Sequence, residues 1–402
     1  MSHIIGDKLP QPLQGLKVID LTQHLAGPFC TMLLADMGAT VYKIEPSWGD
    51  ASRSSPQYPS TDGLNSYFMH VNRNKKSIVL DLKSEKGVEA FMRLVKVSDV
   101  VVDNFRPGVM DRLGLGYESL REANPGIICA SISGFGQTGP YVKRPSFDII
   151  AQAMSGWMWL NSREKRGLNS EASFALSCLS GSPGDTVPGL FCALSILAAL
   201  RYRDVSGVGQ RIDVAQTDAL MTISGLGLVR TLYSDTDADT RARSDSARIH
   251  GVYEASDGYV VIRIVGDKAV EAVAEVLHVE ASEVTPGSDL LKNWFKQRTR
   301  SQISELLSDK VPCAPVLTDR ELIDDPNVKA REMIQDMRYP DGSIYHAVST
   351  GVKFSETPVA IKIMPPALGA DSVSVLKSLG YSEAEIKQLI DEKVTLVSVD
   401  VG

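Results

Sequence analysis

The first two hundred residues switch repeatedly between two hydrophobic periods. Leu16–Leu21 (LKVIDL) is a short, nearly continuous apolar run, the pattern of a strand buried on both faces. Ala26–Gly38 follows with apolar residues at helical spacing and Pro28 in its first turn, where a missing N–H costs nothing. The same alternation predicts strands at Val41–Glu45, Ile78–Leu82, Val100–Phe105 and Ile127–Ile132, and a helix over Ser84–Val97 with Ser84 as N-cap. A helix over Phe147–Trp159, a strongly apolar helix after Asp185, a short strand at Gln210–Val214 and a helix from Gln216 complete this region. Strands alternating with helices imply an α/β fold whose parallel sheet is covered on both faces.

The texture changes near Thr231. Residues 234–246 are polar and read as a linker or exposed loop. Gly251–Ile264 (GVYEASDGYVVIRI) has the pattern of a hairpin turning at Ser-Asp-Gly, and opens a smaller α+β domain. Residues 376–394 form an amphipathic helix capped at Ser382, with acidic residues in the first turn. The expected division is a large domain at 1–230, a small domain with linkers at 231–330, and a C-terminal part at 331–402.

Composition narrows the function classes. The 402 residues are 43% hydrophobic and 23% charged, ordinary for a globular protein of two or three domains. The 42 Lys and Arg against 49 Asp and Glu give a net charge of −7, which argues against a general nucleic-acid binder. Five scattered cysteines (Cys30, Cys129, Cys178, Cys192, Cys313) without a CxxC argue against a disulfide framework and a Cys-rich metal site. The start MSHIIGDKLP has no apolar signal core, and the longest apolar stretch, Gly189–Leu200, falls short of the ~20 residues that span a bilayer. The expectation is a cytoplasmic protein with no membrane partner and no metal.

Candidate chemistry is sparse. GFGQTG (134–139) fits GxGxxG after a strand, but Pro140 and Pro145 interrupt the helix a dinucleotide site needs, so a glycine loop with another backbone role is the better reading. There is no P-loop and no HExxH, and the six histidines leave residues 71–249 without one. Arg73, Lys75, Lys76, Lys83, Arg106, Arg112, Lys143 and Arg144 gather near strand ends. Singly each reads as a solvated side chain; together they could hold a phosphorylated ligand. Asp185, in GSPGDTVPG, reads either as a helix N-cap or as a carboxylate open to a ligand. In the second reading the Thr186–Val187 amides would serve a developing oxyanion, and the helix dipole would lower the carboxylate's basicity.

Several ordered blocks carry a resemblance. Leu13–Pro46, Val71–Gly87, Asp99–Glu118, Ala130–Tyr141, the Gly184–Asp185 pair with Gly189–Val214, and Val311–Val316 (VPCAPV) together resemble the class III CoA-transferases. That family includes formyl-CoA transferase, carnitine CoA-transferase and α-methylacyl-CoA racemase. The resemblance implies a large Rossmann-like domain rejoined by the C-terminal part, a smaller domain between, and two chains interlocked as a homodimer. It also implies an acyl-CoA and a carboxylic acid as substrates, with coenzyme A bound only as substrate and no tightly bound cofactor. By the same resemblance Asp185 is the catalytic nucleophile. Leu25, Ala26, Pro46, Leu80–Lys83, Asn104, Phe105, Arg106 and Arg112 match coenzyme A contacts, Lys143 and Arg144 fall near another, and Lys83, Arg106 and Arg112 are the phosphate-side candidates. The racemase branch would need a histidine where Phe147 stands and a glutamate near Gly266, and neither residue exchanges protons. Transferase is therefore the expected activity, with racemase or an inactive coenzyme A-binding protein as alternatives. Residues 160–184 depart from the family pattern. The donor and acceptor stay open, with succinyl-CoA and a dicarboxylate suggested by related members.

Overall fold

Lys17–Asp20 (β1) sends Val18 to one face and Ile19 to the other, and both are fully buried. A strand buried on two faces belongs inside a covered sheet. The computed structural model, which describes residues 11–56, 60–61, 64–159, 178–233, 248–285, 287–338, 342 and 344–397, places it so. β1 lies in a six-stranded sheet with Thr40–Glu45 (β2), Lys75–Val79 (β3), Val100–Asp103 (β4), Ile128–Ser133 (β5) and Arg211–Ala215 (β6). Every pairing is parallel and the order is 3-2-1-4-5-6. This is the doubly wound order, in which the direction of winding reverses between β1 and β4 and ligands gather at the carboxyl ends of those strands.

The flanking helices are Ala26–Asp36 (α1), Ser66–Asn72 (α2), Glu85–Val95 (α3), Tyr117–Ala123 (α4), Asp148–Met154 (α5), Pro183–Ser206 (α6) and Gln216–Ile223 (α7). Alternate strand residues feed two cores. Ile19, Ile44, Ile78 and Val101 pack with Phe91 and Leu94 of α3 and with Leu376 and Leu389 from the C-terminal helices Ser372–Ser378 and Glu383–Asp391. Val18, Val41, Val100 and Ile128 pack on the other face with Cys30 and Leu34 of α1 and Cys192 and Ile196 of α6. Ser84 caps α3 by accepting from Gly87 N at 3.0 Å, and Ser382 and Glu385 form a reciprocal capping box.

Several expected boundaries move, and the run 376–394 is broken at Gly380 (φ +88°) into two helices rather than one. β3 starts at Lys75 and ends at Val79, ahead of the apolar run at Ile78–Leu82, because Lys75 is fully buried in an ion pair rather than exposed. α5 stops at Met154, and Gly156 then turns with φ +80°. α6 begins two residues before Asp185 and runs 24 residues, so by length and composition it could cross a membrane, which the shorter apolar run did not suggest. Here one side of it, including Cys192, Ile196 and Leu200, is packed into the core shared with α1.

The chain divides into two compact units. One is Met1–Ser155, Leu179–Ile223 and Arg331–Gly402 and contains the parallel sheet. Its C-terminal segment closes the β3 edge: Asp371 N donates to Ser77 O at 2.9 Å, and Thr395 Oγ1 donates to Val79 O at 2.7 Å. The other is Gly156–Cys178 and Ser224–Ala330. It has a three-stranded antiparallel sheet, Arg248–Ala255 with Gly258–Val265 and then Cys313–Pro315, the first two forming the expected hairpin. Its core stacks Tyr253 on Phe295 at 4.6 Å. The polar stretch 234–246 and residues 160–177 lie outside the described residues.

Candidate active site

Asp185 is not the N-cap of α6. Pro183 opens the helix, Ser182 caps it in the left-handed region at φ +51°, and Asp185 is the third helical residue. The first-turn amides are already engaged. Gly184 N donates to Asp148 Oδ1 at 2.7 Å, and Asp185 N and Thr186 N both reach Ser182 O at 3.0 Å. The expected use of Thr186 N for an oxyanion is therefore not met. Glycine is required at 184, since a Cβ there would sit 2.7 Å from Asp148 O. This close approach brings Asp148, the first residue of α5, beside Asp185.

The Asp185 carboxyl is pushed up to about 7, first by burial and then by the like charge of Asp148; Gln216, donating from Nε2 to Oδ1 at 2.6 Å, opposes the rise. The expected lowering by the helix terminus is overturned, because desolvation and a neighbouring carboxylate outweigh a dipole whose free amides are spent. A carboxyl that ionises near neutrality, in a partly enclosed setting, is a stronger nucleophile than a solvated aspartate.

A second cluster lies at the switch point between β1 and β4. Asn104, just past β4, clips the two loops together: its Oδ1 accepts from Gln23 N at 2.9 Å and its Nδ2 donates to Gln23 O at 2.7 Å. Leu25 and Ala26 follow on the β1 side, and Phe105 and Arg106 on the β4 side, so the structure does assemble these sequence candidates at one edge. A fully buried ion network props up this loop. Lys43 pairs with Asp50 at 2.8 Å and donates to Thr22 O at 2.9 Å, while Lys75 pairs with Asp20 at 2.9 Å and donates to Pro28 O at 3.1 Å. Burial alone would raise Asp20, but the charges of Lys75 and Lys43 win and hold it well below the usual range. Burial in turn pulls Lys75 down to about 8 despite Asp20.

The basic residues separate. Lys83 and Arg112 line one pocket of about 420 Å³ at the start of α3. Arg106 lines a different and much smaller cavity with Asp103 and Arg211. There burial raises the Asp103 carboxyl to about 6 against the hydrogen bonds from Ser131 and Phe105 N. Lys143 is exposed in the loop after β5 and lines neither cavity, and Arg144 stacks over Tyr141 at 3.7 Å. Arg73 and Lys75 are buried and paired, with Asp36 at 2.8 Å and Asp20 at 2.9 Å, so they are structural. Among the described residues no group of three or more His, Cys, Asp and Glu could hold a metal ion.

Residues 13–372 match the sequence profile of CoA-transferase family III. The chain belongs to that family. This family III chain is 35% identical over 370 residues to a succinyl-CoA:mesaconate CoA-transferase from Haloarcula hispanica, covering 86% of this chain and 90% of that one. It is 32% identical over 390 residues to a succinate–glutarate CoA-transferase from Agrobacterium fabrum, covering 92% and 96% respectively. A solved CAIB/BAIF family protein from Brucella suis matches with a TM-score of 0.80 at 30% identity, over 92% of this chain and 100% of that one. The family III protein is thus an enzyme, a transferase.

Three residues of this family III chain carry no signal in the sequence that sets them in the site. Asp148 follows Phe147 without a feature that marks it. Gln216 reads only as a helix start. His24 lies outside the histidine-free stretch, yet its ring meets Phe147 edge-on at 6.0 Å, linking the switch-point loop to the start of α5. The placement of Asp148 was visible only as an acidic residue ahead of an apolar helix, and nothing in the sequence pairs Gln216 with Asp185.

Proposed function

We propose that this transferase moves coenzyme A from an acyl-CoA to a free carboxylic acid, with Asp185 as the covalent nucleophile. The observation that carries this reading is a half-buried carboxylate at the start of α6, raised to about 7 and gripped on one oxygen by Gln216. Asp185 Oδ2 attacks the thioester carbonyl and the C–S bond breaks, giving coenzyme A thiolate and an acyl–aspartyl anhydride. The thiolate adds to the aspartyl carbonyl, the acyl carboxylate leaves, and Asp185 carries coenzyme A as a thioester. A second carboxylate runs the sequence backwards and departs as the new CoA ester. One thioester replaces another, so no nucleotide is consumed.

Coenzyme A would lie over the switch-point edge, along Leu25, Ala26, Asn104 and Phe105. Lys83 and Arg112, facing one pocket, suit its phosphates, with Arg106 nearer the ligand's middle and Lys143 at the margin. The names of the two relatives favour C4–C5 dicarboxylates, with succinyl-CoA as donor. Phe147 and Gly266 offer no exchangeable proton, which disfavours racemase chemistry. The working unit is a homodimer. The test is incubation with mixed acyl-CoAs and free acids, read by mass. Exchange that Asp185→Asn abolishes supports the reading; exchange that survives this change overturns it.

A further inference from the structure

Every first-turn amide described around Asp185 is used elsewhere, yet the carboxylate has one strong donor. Gln216 Nε2 stands 2.6 Å from Asp185 Oδ1, and Gln216 is only 6% exposed. The donor is rigidly held. β6 passes into α7 without a loop, so Gln216 is the first residue beyond the carboxyl edge of the sheet. Its neighbour Thr217 is tied to Gly134 O through N at 3.3 Å and Oγ1 at 3.2 Å. A fixed donor aimed at one oxygen is the arrangement that stabilises charge developing there.

We propose that the Gln216 amide is a catalytic hydrogen-bond donor to the oxyanion that forms on Asp185 Oδ1 when coenzyme A thiolate adds to the aspartyl carbonyl. The inference rests on Asp185 as nucleophile. With Oδ1 held, Oδ2 is the oxygen that forms the anhydride, and Oδ1 becomes the aspartyl carbonyl oxygen. Thiolate addition to Cγ moves the carbonyl electron pair onto Oδ1, giving it a full negative charge. Collapse re-forms that carbonyl, breaks the Cγ–Oδ2 bond and releases the acyl carboxylate, with no net proton transfer. In the resting carboxylate the charge is shared between two oxygens; in the tetrahedral adduct it sits on the one Gln216 holds. The bond is therefore stronger in the transition state than before it, which is the condition for acceleration. Attack by Oδ2 in the first step gains nothing from the donor, because the carboxylate loses charge there.

The consequence is a slowed second step with an intact first one. In Gln216→Met, similar in length but without a donor, kcat should fall about 10²–10³-fold, with the KM for acyl-CoA little changed. Mixed with succinyl-CoA alone and quenched rapidly, wild-type enzyme should show a coenzyme A adduct on the peptide carrying Asp185. The variant should instead accumulate the acyl anhydride, trapped by hydroxylamine as the acyl hydroxamate. Should Gln216→Met melt early, Gln216→Leu, likewise uncharged and without a donor, gives the same reading. Wild-type rates of adduct formation and turnover in a folded variant overturn the proposal and leave Asp185 as nucleophile. Absence of any adduct on Asp185 in the wild-type enzyme with an acyl-CoA that it turns over removes both.

Discussion

Asp185 is held at a cost. Its carboxyl is pushed to about 7, so between about pH 4 and pH 7 the unfolded chain binds fewer protons than the folded one, and stability falls as pH rises through that window. Asp185→Asn removes this penalty while Asn Oδ1 can still accept from Gln216. The variant is expected to lose coenzyme A transfer and, above pH 7, to gain on the order of 1–3 kcal/mol, with little gain near pH 4. Urea unfolding at the two pH values checks the sign. A loss of stability at pH 7 would mean that the ionised carboxylate stabilises the fold and that its carboxyl is not raised. The wild-type kcat/KM should climb toward a plateau above pH 7 as the nucleophile ionises. Asp185 itself stands out in the sequence because glycines and prolines surround it. Its environment does not, since Asp148 and Gln216 reach it only across 37 and 31 residues of chain respectively.

At the scale of elements, the crossing of α1 and α6 joins the two halves of the site. A Cβ on Gly189 would lie 2.7 Å from Ala26 O, so the helices meet backbone to backbone, with Cys30 and Cys192 buried just beyond. Gly189→Ala has helix propensity in its favour, by about 1 kcal/mol, but must part the helices. The expected balance is a net loss of about 1–3 kcal/mol with a raised KM for acyl-CoA, because α1 carries the Leu25–Ala26 loop. Thermal unfolding and steady-state kinetics on one preparation test both. The elements themselves were largely readable: β1, α1, β2 and the Ser84 cap follow apolar spacing and capping chemistry that need no tertiary information. β3 was displaced for a physical reason. Lys75 reads as a surface residue, and its burial depends on Asp20 from another strand, as the burial of Lys43 depends on Asp50.

For the whole molecule, the proposed ligand surface and the proposed dimer make separate demands. Lys83 and Arg112 share a pocket that Arg106 does not line. If that pocket takes the phosphates of coenzyme A, Lys83→Ala and Arg112→Ala should each raise the KM for acyl-CoA about tenfold or more, leaving the acceptor's KM nearly unchanged. Equal effects on both substrates would place the phosphates elsewhere. The proposed dimer rests on α6. Its inner side is core, yet Leu190, Leu194, Tyr202 and Val205 form an outer stripe at helical spacing, with Leu194 63% and Val205 74% exposed. Ile149 and Met154 of α5 and Met221 of α7 are exposed as well, on helices that pack against α6. Apolar exposure of this extent marks an interaction face, and a second copy of the chain is the proposed occupant. In a threaded dimer, dissociation requires opening the chain, so sedimentation should show a dimer that persists on extreme dilution. Leu194→Glu should lower the melting temperature and the dimer fraction together, because the face and the fold would be lost as one. A compact, active monomer with wild-type stability would leave this face without a partner and refute the threaded arrangement.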